Sequence, residues 1–351
     1  MTQAAELAGY ASNLQMFRNK IINGNFDVWQ RGTNITISNS TNMYTADRWR
    51  FAGDAFTGFI NRQQFTPGQT DVPGEPNYFF RWAVNTNPSG NMAFGQYIED
   101  VRTLAGKTAT LSLYLYASAT IPANTLQIRY RQVTGGTGGT INTVNIGEIT
   151  TSWKKFTFQL NIPSLTGATL GASNASYLAL EILSPSTHTS AFDMFIAQVQ
   201  LEEGTVATPF EHRPIGMELS LCQRYYQKSY DLSEKPGGAT QYPTHGTHLG
   251  TYQGSEYVYS IFNSTYNQRL STNIPIKTRM RSASGQTLKI YNPYYGDLNK
   301  VMQAGGGASY AVTIINYSEI SPSFYATVTG NSAGNTVGDI YRYHWVVENE
   351  L

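Results

Sequence analysis

The chain runs to 351 residues with a net charge of +1, and only 13% of it is charged, while Gly (32), Tyr (24) and Phe (16) are abundant. The absence of a long basic run excludes a nucleic-acid footprint, and no apolar stretch approaches the roughly 20 residues that membrane insertion as a helix requires. The lone cysteine, Cys222, excludes an intrachain disulfide, and about one domain per 150 residues predicts two domains. Aromatic and β-branched side chains suit half-buried pleated surfaces, so strands and turns are expected to dominate.

Taken in chain order, residues 4–18 (AAELAGYASNLQMFR) place Leu7, Tyr10, Leu14 and Phe17 three and four apart, which predicts a short helix. Gly9 weakens it, and a helix this short needs a surface to lie on. The amino end has neither a basic flank nor an apolar core, so it is not read as a secretory signal. Strand signals begin at Ile21, with a turn at Asn23-Gly24, and continue over residues 58–64, 78–84, 93–98, 108–116, 125–133, 153–160, 177–183 and 192–201. In TLSLYLYA, Leu111, Leu113 and Leu115 share one face, and Ser112, Tyr114 and Tyr116 share the other. Leu126, Ile128 and Tyr130 alternate in the same way with Gln127, Arg129 and Arg131. This is the pattern of an antiparallel sandwich with a wetter side.

Residues 198–230 form the junction. An alternating strand ends in an acidic turn at Glu202, Glu203 and Gly204, two prolines follow (Pro209 and Pro214), and helix-like spacing opens at Met217. There Leu219, Cys222, Tyr225 and Tyr226 share a face, and Cys222 reads as a core-facing thiol. Further strands are predicted at 256–262, 268–274, 287–291, 311–317, 323–329 and 340–347, with no fixed-period repeat. The expected fold is all-β: two antiparallel β-sandwich, jelly-roll-like domains over 21–212 and 217–351, behind a short helical anchor over 1–20.

Candidate ligand groups follow from sugar chemistry, in which aromatic faces meet the C–H side of a pyranose and amides or acids take its hydroxyls. Tyr114 and Tyr116 stand on the wetter strand face, and KIYNPYYGDLN gathers Tyr291, Asn292, Tyr294, Tyr295 and Asp297 about Pro293. Packing within the core or between chains is the competing use of each ring. His245 and His248 lie in YPTHGTHLG with no third ligand at useful spacing, which reads as a solvent-facing loop, or as an axial ion site if three copies met there. Asp47 and Arg48 read as a structural ion pair, with Trp29 and Trp49 in the core. The adjacent acids Glu99-Asp100 and Glu202-Glu203 point to opposite strand faces and so do not form acid–base couples. No serine elbow, phosphate loop or zinc signature is present.

Several blocks carry a family resemblance: NGNFDVWQRG (23–32), YTADRWRF (44–51), QYIEDVRTLAGKTATLSLYLYAS (96–118), SWKKFTFQL (152–160) and IAQVQLEEGTVATPFE (196–211). They resemble the jelly-roll domains shared by carbohydrate-binding modules and bacteriophage tail fibres and other virion appendages. MELSLCQRYYQKSY (217–230), IPIKTRMR (274–281) and HWVVENEL (344–351) resemble the carboxy-terminal β-domain of phage fibres. The resemblance implies a non-enzymatic virion protein made in the host cytoplasm, commonly a homotrimer, bound to other virion proteins and adhering to host-surface glycans. Its rivals are a head-decoration or tail-assembly component, a polysaccharide depolymerase, and a secreted bacterial carbohydrate-binding module. Many such modules hold calcium between the first strand and an acid in the last. Here Ala197 and Gln198 replace that acid, so no cofactor is expected, and a calcium ion would have Asp27 and Glu202 as its side-chain ligands.

Overall fold

The computed structural model describes residues 17–38, 41–53, 57–85, 90–172, 175–232, 234–237, 256–261, 269–275, 277–281, 287–292, 295–303, 309–320, 323–330 and 340–351. Most of the expected anchor, together with Tyr294, His245 and His248, lies outside the described residues. Two compact units emerge: residues 1–27, 33–215 and 351 form the first, and residues 28–32 and 216–350 the second. Among the described residues no helix is long and apolar enough to cross a membrane.

The first unit is built from β1 (Asn34–Ser38), β2 (Thr41–Tyr44), β3 (Trp49–Gly53), β4 (Thr57–Gln64), β5 (Tyr78–Val84) and β6 (Met92–Glu99). It continues with β7 (Thr108–Ala117), β8 (Gln127–Val133), β9 (Thr140–Asn145), β10 (Lys154–Asn161), β11 (Tyr177–Ser184) and β12 (Phe192–Glu203). They assemble into two six-stranded antiparallel sheets, ordered β1-β4-β5-β12-β7-β10 and β2-β3-β6-β11-β8-β9. This is a jelly-roll-like sandwich, and the alternation in β7 explains its inner face. Leu111, Leu113 and Leu115 are almost fully buried, whereas Tyr114 and Tyr116 are half-buried on the outside. Between the sheets Phe80 stacks on Phe94 at 4.0 Å, and Trp49 stacks on Phe94 at 4.8 Å. Each such ring contributes about 1.5–3 kcal/mol by burial.

The strand expected from Ile21 does not form. Asn23 and Phe26 both adopt φ 58°, so the segment advances as turns and delivers Phe26 into the core as a plug against Trp49, at 5.0 Å. Local alternation mimicked a strand here, but the left-handed backbone positions rule one out. Asp47, Arg48, Trp29 and Trp49 are all buried.

The second unit opens with α1 (Ile215–Gln223), then β13 (Tyr226–Lys228), β14 (Glu256–Ile261), β15 (Arg269–Pro275), β16 (Thr287–Tyr291), β17 (Lys300–Gln303), β18 (Ser309–Ile320), β19 (Ser323–Gly330) and β20 (Ile340–Glu348). The helix-like spacing that opens at Met217 stops as helix at Gln223, and from Tyr226 the chain pairs with β20 as β13, so Leu219 and Cys222 share a helix but Tyr226 lies on a strand. Cys222 is fully buried, as its place in the pattern implies. The sheet runs β13-β20-β14-β15-β19-β18-β17 and closes through a β17–β20 pairing, while β16 also pairs β20. Strand β20 is therefore the spine of this unit, and its Trp345, Val346 and Val347 are buried.

Candidate functional site

The outward face of the first sheet collects side chains that no single strand displays. Asn34, Asn61, Arg81, Phe195 and Tyr116 are successive partners across β1, β4, β5, β12 and β7. At about 4.8 Å per strand this row is about 19 Å long. Trp153, just before β10, extends it, with its ring 5.6 Å from that of Tyr116. Tyr116 stacks on Phe195 at 4.7 Å, and Phe79 meets Phe195 edge-on at 5.8 Å. A parallel row beside it runs Thr36, Phe59, Ala83 and Asp193.

The polar part of the face is fixed. Arg81 grips Asp193 through both carboxylate oxygens, Nε to Oδ1 at 2.9 Å and Nη2 to Oδ2 at 2.7 Å. The guanidinium lies over the Phe59 ring at 4.5 Å. The bond to Asp193 holds Arg81 more firmly protonated than usual, against the opposing effect of burial. A bidentate pair of this kind presents its remaining donors in one defined plane. An open hollow of about 480 Å³ adjoins it, with Asn34, Thr57, Phe59, Asn61 and Arg81 among its lining residues.

A wall bounds the row on one side. Residues 65–77 fold over the sheet so that Phe65 and Val72 are buried against Ala197, with Phe79, Tyr114 and Trp153 packed around them. Gln69 pins this loop by exchanging two hydrogen bonds with Val72, at 2.9 and 3.0 Å. Of the two tyrosines singled out on β7, Tyr116 joins the open row, whereas Tyr114 sits against the wall, where burial pushes its phenol up.

The turn in the second unit uses its residues differently. Asn292 is fully buried: its backbone N–H donates to the Asp297 carbonyl at 2.9 Å, and its side-chain oxygen accepts from the Tyr295 backbone N–H at 3.2 Å. Tyr291 packs on the Tyr226, Tyr230 and Val346 cluster, and burial raises its pKa. Asn292 thus builds the turn from within, while Tyr291 is half-buried beside it. Tyr295 is 54% exposed, and Asp297 pairs with Lys300 at 2.9 Å.

The calcium candidates are engaged locally. Asp27 Oδ2 accepts from Asn25 at 3.1 Å. Glu202 accepts from Thr208 N at 2.9 Å, from Thr208 Oγ1 at 2.7 Å and from Gln200 Nε2 at 2.9 Å. Gln198 donates through its side-chain amide to Pro73 O at 2.7 Å. Among the described residues no group of three or more His, Cys, Asp or Glu side chains is placed to hold a metal.

Sequence reasoning passed over Phe59, Phe79, Arg81, Trp153, Asp193 and Phe195. The signal was there in YFFRWAV and FDMFIAQV, where a charged residue interrupts an apolar run at the parity opposite to Phe80, Trp82, Met194 and Ile196. With aromatics at both parities, periodicity alone does not distinguish the core from the outer face.

No family model matches the chain, and no curated protein matches it. Among solved structures it is similar to a family 11 carbohydrate-binding module from Clostridium thermocellum in complex with a β-1,3-1,4-mixed-linked tetrasaccharide. That match has 9% identity over 50% of this chain and 99% of the module, with a TM-score of 0.31. A xylan-binding domain from Paenibacillus barcinonensis matches at 12% identity over 50% of this chain and 99% of that domain, TM-score 0.30. A family 30 carbohydrate-binding module matches at 11% identity over 53% and 96% of the respective chains, TM-score 0.29.

Proposed function

We propose that the first unit binds a saccharide along the row Asn61–Arg81–Phe195–Tyr116–Trp153, and that the protein works as a virion appendage adhering to host-surface glycan. The observation carrying this reading is the row itself, in which a polar stretch, Asn61 and Arg81, runs into three half-buried rings, Phe195, Tyr116 and Trp153. Rings supply contact for sugar C–H surfaces, and the fixed Arg81–Asp193 pair and the two asparagines supply hydrogen bonds without a large ordering cost. Asp193 is the carboxylate within these two rows, and Arg81 occupies both its oxygens, an arrangement that favours holding a sugar over cleaving one. The virion setting is supported by the sequence blocks that resemble phage fibres, and repetition of a weak contact over several copies would give useful avidity.

The test is binding of the full chain to host envelope polysaccharide by affinity electrophoresis. Tyr116→Ala and Phe195→Ala are each expected to weaken retention at least about tenfold, as loss of a contacting aromatic does, while Tyr295→Ala leaves it unchanged. Retention lost only in Tyr295→Ala would move the site to the second unit. Release of reducing ends during incubation would replace adhesion with depolymerase activity.

A further inference from the structure

The outward face of the second sheet carries a different chemistry. Arg50 on β3, Tyr97 on β6, Glu181 and Tyr177 on β11, and Arg129 and Arg131 on β8 share that face. Gly95, opposite both Arg50 and Glu181 in the register, makes the cluster possible: a Cβ there would lie 2.7 Å from Glu181 Cγ. The Glu181 carboxylate is therefore laid flat on the sheet and is only 3% exposed. It accepts from Arg129 Nε at 2.8 Å, from Arg131 Nε at 3.0 Å and from Arg131 Nη2 at 3.0 Å. Arg50 has no carboxylate partner among the described residues. Three guanidiniums thus face one carboxylate, and Glu99, the next acid at this parity, stands opposite Tyr177 at the margin.

Tyr97 is the centre of the arrangement. Its phenol oxygen accepts from Arg50 Nη1 at 2.6 Å and from Arg131 Nη2 at 3.2 Å. Both lone pairs are then in use, which leaves the O–H to donate. Nothing among the described residues accepts that proton, although Tyr97 is only 6% exposed. A buried donor flanked by two guanidiniums and left without an acceptor is a site awaiting a negatively charged oxygen. The Tyr177 ring, stacked on Tyr97 at 4.4 Å, offers a flat apolar surface beside it.

We propose that this cluster receives the oxyanion substituent of an acidic saccharide, a uronate carboxylate or an ester sulfate. The Tyr97 O–H and the free edges of Arg50 and Arg129 take the anion, and Tyr177 takes the adjoining ring. An extended acidic peptide fits less well. Strands β6, β11 and β8 are interior, with both edges already paired, so they offer no backbone edge to a peptide. The proposal goes beyond the aromatic row on the first sheet and does not depend on it.

Titration calorimetry of the full chain with oligogalacturonate, neutral galactose oligomers of the same length and a polyglutamate peptide tests it. Oligogalacturonate is expected to bind, and its binding to weaken as salt rises from about 50 to about 500 mM. Tyr97→Phe and Arg50→Gln are each expected to weaken it at least about tenfold, the loss typical of a charge-assisted hydrogen bond. Near-ultraviolet circular dichroism checks folding, and Arg50→Gln carries the test if Tyr97→Phe misfolds. Equal binding by the variants, or neutral oligomers bound with the same sensitivity to them, overturns the proposal. Polyglutamate bound as tightly as oligogalacturonate overturns the saccharide assignment in favour of a protein partner.

Discussion

Arg81 shows how a single side chain can organise a surface. Flanked in sequence by Phe80 and Trp82, both pointing inward, it stands on the opposite face and ties β5 to β12 through Asp193. Two histidines of the same unit act on stability instead. Burial pushes His188 and His212 below the usual imidazole range. Because their folded pKa values are depressed, the unfolded chain binds more protons once the pH drops below about 6.5. Their contribution is therefore fully present above about pH 6.5 and is lost as pH falls through the folded values. The thermal midpoint is expected to fall between about pH 7.5 and 5, and the His188→Asn/His212→Asn double variant to flatten that dependence. Neither histidine stood out in the sequence, since the shifts come from burial, whose extent only the fold sets.

At the level of elements, the sequence disclosed the long alternating strands well and the short ones poorly. Strand β7 was legible because its inner and outer residues differ in kind. Strands β1, β2 and β13 are three to five residues long and gain their identity from partners distant in sequence. The bulge in β12 was equally hidden. Its register slips between Ala197 and Gln200, and Gln198 adopts φ 48°. The slip turns Val199 toward the first turns of the chain, where its N–H donates to Gly24 O at 2.9 Å. Gly24 is needed there, since a Cβ would sit 2.2 Å from Val199 O. The bulge also aims the Gln198 amide at Pro73, which anchors the wall loop. Gln198→Ala should loosen that loop by about 1 kcal/mol, the usual net worth of such a bond. Hydrogen exchange over residues 66–76 should then speed up about fivefold, and unchanged protection would show that Phe65 and Val72 hold the loop alone.

For the molecule as a whole, composition pointed to an all-β chain, and the structure has that character: two jelly-roll sheets in the first unit and a closed antiparallel sheet in the second. The two faces of the first sandwich differ in chemistry, one aromatic and amide-rich, the other lined with guanidiniums, although the net charge is only +1. That separation was invisible in sequence because each face is assembled from only a few residues on each of four or five strands. The virion reading makes a prediction at this scale: native mass measurement at micromolar concentration should find three copies, and a stable monomer would count against the appendage role. The two ends of the first unit's chain are also stitched together. Asn19 binds Val199 O and Leu201 N through its side chain, Glu211 takes the amides of Phe17 and Asn19, and Arg213 reaches the Ile21 carbonyl. A tug applied at residues 17 and 213 would load the Glu211 and Arg213 bonds ahead of the strand pairing of β12, so force entering at those two points meets the lashing first.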